Sequence, residues 1–232
     1  MFGDRPLDRN LLTLTLQQTK DNQVLIIEEL EEESSKPKVI KFLNDLASYQ
    51  IVLQPTIDNN LHITREQRAR LALLGAIQGI EFERILSHLI WQEFEIITTI
   101  IGDEFGYQAT TGLNFSTKER KYQIDVILKN SPYVLLIDCK HYGGTGKRSV
   151  FQKAADEQIE RVKAVVENYD KLKVKINTKS WKKVILIPII VTWFDDAVFF
   201  HNRVPIVPFS KLRSFFRDFY LYIEDIIQLK IE

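Results

Sequence analysis

Residues 121–140 read KYQIDVILKNSPYVLLIDCK, and they decide the fold that the sequence predicts. Apolar residues dominate both halves of this stretch, as is typical of buried strands, while the run Lys129-Asn130-Ser131-Pro132 has the composition of a turn. The stretch therefore predicts an antiparallel hairpin. If the loop comprises these four residues, Leu128 pairs with Tyr133, and Asp125 becomes a same-face diagonal neighbour of Asp138.

Three charged side chains lie at the open end of this predicted hairpin. Asp138 and Lys140 are two residues apart on one strand, so they project from the same face about 7 Å apart, whereas Cys139 points to the opposite face. With Asp125, the two carboxylates can share a hard cation such as Mg²⁺, and Lys140 can stabilise charge on a phosphate. The alternative is a structural salt bridge, because an isolated buried charge is costly.

The segments around the hairpin predict a mixed sheet covered by helices. Apolar residues between 85 and 101 follow helical spacing with an interruption near Leu89-Ile90, and extended structure follows Gly106-Tyr107. Residues 184–193 are almost wholly apolar, which indicates a strand buried on both faces, although Pro188 within it cannot donate to a ladder. The class is α/β. The other predicted elements are a strand at 108–115, edge strands at 198–200 and 205–207, and helices at 149–169 and 210–227.

Four short motifs in this region resemble the PD-(D/E)XK nuclease superfamily. The likeness is strongest to its Mrr-like type IV restriction endonucleases and to its archaeal Holliday-junction resolvases. The motifs occur in the family's order, and the likeness extends over roughly 79–216. It implies a restriction-endonuclease-like mixed sheet flanked by helices for a domain at 79–232. The motifs are Phe94-Glu95, Gly106-Tyr107, Ile124-Asp125 and Ile137-Asp138-Cys139-Lys140.

The same resemblance implies hydrolysis of DNA by a metal-activated water. Asp125 and Asp138 match the positions of the metal ligands, with the backbone carbonyl of Cys139 as a further ligand. Lys140 matches the catalytic lysine, and Glu95 matches the helix carboxylate that completes or supports the metal site. The expected cofactor is Mg²⁺, for which Mn²⁺ can substitute.

Five further residues are weaker candidates for a role in this site. Glu83 also follows a phenylalanine, but it lies too far from Gly106-Tyr107 to replace Glu95 in the motif. The others could contact nucleic acid, because they follow the predicted catalytic strand in the chain. They are His141, Lys147, Arg148 and Gln158.

The distribution of charge favours a polyanionic substrate. The chain has 31 basic and 31 acidic residues, but residues 116–183 contain 16 Lys or Arg against 8 Asp or Glu. A basic segment around acidic site candidates suits nucleic acid, although a solvated lysine-rich surface has the same composition. The glycine-rich run at 143–148 lacks the spacing of a phosphate loop, so no nucleotide cofactor is predicted.

Residues 1–78 predict a separate small α+β module. The alternation of Leu12, Leu14 and Leu16 with threonines predicts a strand, and residues 24–33 fit a strand or a helix equally well. The run Ser35-Lys36-Pro37 predicts the start of a helix through about Ala47.

The remainder of this module predicts a hairpin and a second helix. The two hairpin strands are expected at 49–53 and 61–63. Thr64 and Gln67 have the spacing of a capping box that opens a helix to about Gln78. Helix, hairpin and helix together resemble a winged-helix module, which could contact DNA, a protein partner or a second copy. The glutamate-rich run at 28–33 argues against laying that part on phosphate.

Composition excludes several other classes of protein. One cysteine, Cys139, excludes a disulfide framework and a cysteine-based zinc site. The longest apolar run is about half the length of a membrane span, so we expect neither a membrane segment nor a membrane partner. The expected location is the cytoplasm. Abundant Ile, Lys and Glu are typical of thermophiles.

The functional hypothesis is therefore a Mg²⁺-dependent DNA endonuclease that acts in restriction or in DNA processing and repair. The alternatives are a RecB-like exonuclease, an RNA nuclease, or a DNA-binding scaffold that retains the fold without turnover. Symmetric cleavage would need two sites, which makes a homodimer plausible.

Overall fold

The computed structural model describes residues 6–140, 148–193 and 198–231. Contacts divide the chain into two compact units, Met1–Ile97 and Thr98–Glu232. The division falls inside one helix, later in the chain than the predicted domain boundary at 78/79.

The first unit combines helices with a small three-stranded sheet. The sheet has the order β1-β3-β2, and both of its pairings are antiparallel. The helices are α1 (Arg9–Gln18), α2 (Ile27–Glu33), α3 (Lys36–Ser48), α4 (Arg65–Ile77), α5 (Phe82–Leu86) and the start of α6 (Trp91–Glu104), and the strands are β1 (Val24–Leu25), β2 (Gln54–Pro55) and β3 (Leu61–His62).

The strand predicted around Leu12–Leu16 is wrong, because these residues belong to helix α1. The Asp8 side chain accepts hydrogen bonds from the backbone N–H groups of Asn10 and Leu11, which caps the helix. The Thr15 hydroxyl donates to the carbonyl oxygen of Leu11 at 2.7 Å. A threonine hydroxyl that bonds back in this way fits inside a helix, so the threonines do not force an extended chain.

Other predictions for the first unit are confirmed or corrected in detail. Residues 24–33, left open between strand and helix, contain both β1 and α2. The capping box of Thr64 and Gln67 is present at the start of α4. The first hairpin strand lies at Gln54–Pro55 rather than at 49–53, because Tyr49 ends α3 and Gln50 has a positive φ of 62°.

A buried ion pair ties the helices of the first unit together. Arg68 on α4 and Glu93 on α6 are both fully buried, and Arg68 Nε lies 2.5 Å from Glu93 Oε1. Arg68 also donates to the carbonyl oxygens of Leu16, at 2.8 Å, and His88, at 2.7 Å. Glu93 Oε2 accepts the backbone N–H of Ile90 at 3.0 Å. The pair thus links α1, α4 and the start of α6.

The second unit contains a mixed seven-stranded sheet with helices on both faces. The strand order is β4-β5-β6-β7-β9-β8, and β10 pairs with β7. Strands β4, β5 and β6 are antiparallel neighbours, whereas β6, β7 and β9 are parallel. The strands are β4 (Gln108–Ser116), β5 (Lys121–Asn130), β6 (Tyr133–Lys140), β7 (Val184–Thr192), β8 (Phe199–His201), β9 (Val204–Pro208) and β10 (Leu229–Ile231), and the helices are α7 (Arg148–Glu167), α8 (Tyr169–Leu172) and α9 (Leu212–Asp218) with 3-10 turns at Phe209–Lys211 and Phe219–Leu221.

The two helical layers contact opposite faces of strands β5 and β6. Leu136 and Val162 belong to one buried cluster, which places α7 on the face of the even-numbered β6 residues. On the other face, α6 approaches so closely that a Cβ at Gly102 would lie 2.6 Å from the Leu128 side chain. A glycine at this position lets the helix pack directly against the sheet.

Pro188 lies within the fully buried strand β7 without disrupting the sheet. The backbone N–H groups of Ile185 and Trp193 donate to the carbonyl oxygens of Pro132, just before β6, and Lys140, at its end. Because N–H groups alternate in direction along a strand, Pro188, at odd spacing from both residues, directs its nitrogen toward the opposite edge. On that edge β10 pairs with residues 184–186 and β9 with residues 190–192. The proline therefore occupies the gap between two partner strands, where no ladder donor is required.

Two predictions for the end of the chain need correction. Strand β9 is an interior strand between β7 and β8, not an edge strand, and all of its residues are buried. The helix predicted at 210–227 is limited to α9 and flanking 3-10 turns, and β10 follows. An aromatic cluster including Tyr107, Phe215 and Phe219 packs around α9.

Among the residues that the structure describes, no helix combines the length and apolarity needed to cross a membrane.

We expect Arg68→Ala to lower the free energy of unfolding by about 3–5 kcal/mol, because the buried Glu93 then keeps only the partly exposed Arg65, at 3.1 Å, as a charged partner. Arg70→Ala is the matched control, since Arg70 pairs with Glu66 at 2.9 Å on the exposed face of the same helix. That loss should be about 0.5 kcal/mol or less. Urea unfolding of both variants measures the difference. Equal losses would contradict a structural role for the buried pair.

Candidate active site

The pairing of β5 with β6 brings two carboxylates together. Asn130 pairs with Tyr133, so that Ser131 and Pro132 alone form the turn, and Val126 pairs with Ile137. The predicted pairing of Leu128 with Tyr133 is therefore wrong by two residues. Continued by one pair, the observed register sets Asp125 directly opposite Asp138, on the same face of the sheet.

Asp125 is buried and is held by a backbone group of the neighbouring strand. Its Oδ2 accepts the N–H of Cys139 at 2.9 Å, and its Oδ1 accepts from the Gln123 side chain at 3.3 Å. Loss of solvation raises the pKa of Asp125 to about 6, and the neighbouring Asp138 acts in the same direction. The Cys139 N–H, Lys140 and Arg161 oppose this rise because they stabilise the charged form.

Asp138 is buried between two cations. Its Oδ2 lies 2.8 Å from Lys140 Nζ, and its Oδ1 lies 2.9 Å from Arg161 Nη1. The side chains of Lys140 and Arg161 are 19% and 13% exposed, so both remain accessible from solvent. The two carboxyl groups are thus matched by two cations, a charge balance that keeps a buried Asp138 tolerable.

Arg161 lies on helix α7, where a buried glutamine, Gln158, positions its guanidinium. Gln158 is fully buried, and its Nε2 donates to the carbonyl oxygen of Leu136 on β6 at 2.7 Å. Its Oε1 accepts a hydrogen bond from Arg161 Nη1. Gln158 therefore fixes α7 to the strand of Asp138, and its contact with DNA stays a prediction.

Sequence reasoning missed Arg161, although a signal was present. Residues three apart on a helix share a face. Gln158 is a candidate for contact with nucleic acid on sequence grounds, so Arg161, one turn later on the same face of the helix, is a candidate by the same reasoning. Its ion pair with Asp138 could not be deduced from the sequence, because it depends on how α7 crosses the sheet.

The structure places the other predicted residues in different surroundings. The Cys139 thiol is buried on the opposite face, 4.0 Å from the Thr98 hydroxyl, as a packed side chain should be. Arg148 begins α7, and its guanidinium lies 4.8 Å from the centre of the Phe199 ring. His141 and Lys147 lie outside the described residues.

The contacts described above do not bear on two of the predicted metal ligands, Glu95 and the backbone carbonyl of Cys139. Glu95 lies on α6 within the first unit and is 8% exposed. Its role in the site, like that of the Cys139 carbonyl, stays a prediction. Within the described ranges, no group of three or more His, Cys, Asp or Glu side chains is arranged to hold a metal ion.

The chemistry of the Asp125–Asp138 pair nevertheless fits a hard divalent cation. Both groups offer carboxylate oxygens, which Mg²⁺ and Mn²⁺ prefer. Burial of two carboxyl groups on adjacent strands also raises the pKa of Asp125. A bound cation would relieve that cost, because it would stabilise both charged forms.

Comparisons with known proteins find relatives without an assigned function. No family model matches the sequence. An uncharacterized protein from Archaeoglobus fulgidus is 25% identical over 136 residues, which cover 58% of this chain and 95% of that protein.

Two solved structures resemble the chain weakly. Protein VC1899 from Vibrio cholerae aligns with a TM-score of 0.37 and 11% identity, over 94% of this chain and 51% of that chain. The protein of unknown function AF1548 aligns with a TM-score of 0.28 and 16% identity, over 44% of this chain and 45% of that chain. The matched regions span about half of each solved chain, and neither likeness assigns an activity.

The raised pKa of Asp125 predicts a pH-dependent stability difference for Asp125→Asn. The folded protein holds this proton more tightly than the unfolded chain, so the carboxyl favours folding below its usual pKa of 3.8 and loses that contribution as the pH rises through about 6. The asparagine variant should therefore gain about 1–3 kcal/mol relative to wild type between roughly pH 4 and pH 7.5.

Urea unfolding in a chelator at both pH values measures this difference. Asp103→Asn, at an exposed position on α6, is the matched control and should show the same offset at both. If the curves of Asp125→Asn and wild type stay parallel across this range, Asp125 does not carry a raised pKa.

Proposed function

We propose that the chain is a divalent-metal-dependent DNA endonuclease of the PD-(D/E)XK type, with a restriction-endonuclease-like second unit. The element order supports this fold. Helix α6 is followed by the antiparallel strands β4, β5 and β6, and α7 then connects β6 to the parallel strand β7. The motifs described under Sequence analysis lie on these elements in the same order: Glu95 on α6, Asp125 on β5, and Asp138 and Lys140 on β6.

A single observation carries the proposal. Asp125, Asp138 and Lys140 lie on one face of the sheet, at the end of β6, where a buried carboxylate pair adjoins an accessible lysine. Two buried carboxylates on adjacent strands suit a cation that they share.

Each residue has a distinct role in the proposed hydrolysis. Asp125 and Asp138 would hold the cation, and the Cys139 carbonyl would be a further ligand. When bound, Mg²⁺ or Mn²⁺ supplies an activated water and neutralises charge at the scissile phosphate. Lys140, oriented by its 2.8 Å contact with Asp138, would donate to the phosphate oxygens as negative charge develops on them.

The first unit would serve substrate choice or assembly. Its order of helix, strand, two helices and a hairpin, with the sheet order β1-β3-β2, supports a winged-helix-like module. Lys36, Lys38 and Lys41 are exposed on α3, whereas α2 is strongly acidic. Lysines on α3 favour contact with DNA, and the acidic helix favours a protein partner or a second copy. A protein that acts on chromosomal or invading DNA would work in the cytoplasm, which is the location that we propose.

One observation favours a second candidate, a DNA-binding scaffold without turnover. Both oxygens of Asp138 contact cations of the protein itself, so the site is charge-balanced as it stands. A scaffold could retain that network for stability alone. RecB-like exonuclease or RNA nuclease activity would use the same residues and differ only in substrate.

The enzyme hypothesis predicts metal-dependent cleavage that requires Asp138 and Lys140. Plasmid, linear, branched and single-stranded DNA and a single-stranded RNA are incubated with Mg²⁺ or Mn²⁺. Asp138→Asn and Lys140→Met should each lower the cleavage rate on the order of 100-fold or more, because each removes a group that acts on the transition state.

Two surface variants of the same unit are matched controls. Asp170→Asn and Lys153→Met change the same residue types at exposed ion pairs, and both should cleave like wild type. Cleavage of linear ends or of RNA alone would select one of the alternative nucleases. Binding without cleavage under every condition, or cleavage that persists in both site variants, would overturn the proposal.

A further inference from the structure

We infer that Arg161 is a phosphate-binding residue stored on Asp138. The Arg161 guanidinium contacts the Asp138 oxygen that a divalent cation would need as a ligand. When a cation binds Asp138, the guanidinium would leave this oxygen and bind a phosphate oxygen of the nucleic acid instead. This inference rests on the proposed nuclease function and adds to it a residue that the family resemblance did not indicate.

The anchoring of Arg161 is built into the fold. Its Nη1 lies 2.9 Å from Asp138 Oδ1 and also donates to Gln158 Oε1. Gln158 is fully buried and bonded to the Leu136 carbonyl oxygen. Helix, glutamine and strand thus hold the guanidinium beside the proposed cation site.

The guanidinium retains capacity for a second acceptor. An arginine carries five N–H donors in a planar fork. Both contacts of Arg161 within the described part of the chain are made through Nη1, and its side chain is 13% exposed. The rest of the fork can therefore meet a phosphate, whose geometry it matches better than an ammonium group does.

Binding of a cation forces a rearrangement at Asp138. Lys140 and Arg161 contact the two oxygens of this carboxylate. A divalent cation held by Asp125 and Asp138 would have the same sign of charge as Lys140 and Arg161, and like charges repel strongly in a partly buried site. Arg161 comes from a separate helix on a long flexible side chain, so its guanidinium can swing away while Gln158 stays in place.

If Arg161 exchanges partners in this way, it affects the affinity for the cation and the affinity for DNA in opposite directions. As a competitor for Asp138, the guanidinium weakens binding of the cation. As a ligand of phosphate, it strengthens binding of DNA. A residue that only stabilised the fold would not produce this opposition, since its loss would weaken both.

The test measures both affinities in Arg161→Met and Arg161→Gln. Mn²⁺ binding, followed by electron paramagnetic resonance, should tighten about 5-fold or more, because the competing charge is gone. Binding of a short DNA duplex in Ca²⁺ should weaken about 10-fold, with the salt slope reduced by about one. Arg161→Lys should retain part of both wild-type properties.

Lys163→Met is the matched control on the same helix. Lys163 pairs with Glu160 at 2.8 Å on the exposed side, so its loss should leave the Mn²⁺ affinity unchanged. Circular dichroism verifies that each variant is folded, and a variant that is not folded is replaced by the other. Weaker or unchanged Mn²⁺ binding in the folded Arg161 variants, or unchanged DNA binding, would overturn the exchange.

Failure of the exchange differs from failure of the proposed function. If wild type cleaves DNA but the Arg161 variants lack the opposite shifts, the nuclease proposal stands and the exchange is wrong. If the shifts occur but wild type cleaves no substrate, Arg161 does exchange partners, and the chain is a metal-binding scaffold.

Discussion

The burial of the Asp138 carboxylate is the constraint on which the second unit depends. A charge that is only 4% exposed must be matched by neighbouring groups, or the folded state loses several kcal/mol. Here the match comes from two directions, from Lys140 on the same strand and from Arg161 on the crossing helix. Asp125, directly opposite, adds a second carboxyl to the same face, and burial raises the pKa of that group to about 6. The arrangement is balanced without a metal, yet it places oxygen donors where a cation could bind them together.

The remaining architecture holds these groups in place. Strand β6 lies between an antiparallel and a parallel neighbour, so its backbone is fixed on both edges. Gln158 joins α7 to that strand by bonding the Leu136 carbonyl, and the same glutamine steers Arg161. On the other face, Gly102 lets α6 pack closely against Leu128. The site is therefore supported by rigid elements rather than loops, a property that both a catalytic centre and a structural network require.

The two units follow different physical strategies. In the first, the fully buried pair of Arg68 and Glu93 joins three helices around a small sheet. In the second, burial is mainly apolar, and the buried charged side chains that the structure describes are Asp125 and Asp138 near the end of β6 and Lys129 on β5. The comparisons add relatives without an assigned function, so the functional proposal rests on the carboxylate pair, its lysine and the motif order.

The order of residues along the chain is enough to predict the α/β class, the hairpin of β5 and β6, and the shared face of Asp125, Asp138 and Lys140. Strand alternation and apolar runs are local properties that a linear pattern records. Prediction from the sequence was wrong for Leu12–Leu16, where the threonine hydroxyls bond to the helix backbone and the alternating pattern belongs to a helix. It also missed β10 and predicted a C-terminal helix that is too long. Three features could not be predicted from the sequence: the register that sets Asp125 opposite Asp138, the position of Pro188 between two partner strands, and the approach of Arg161. Each depends on contacts between segments distant in the chain, and local periodicity carries no information about which segments will meet.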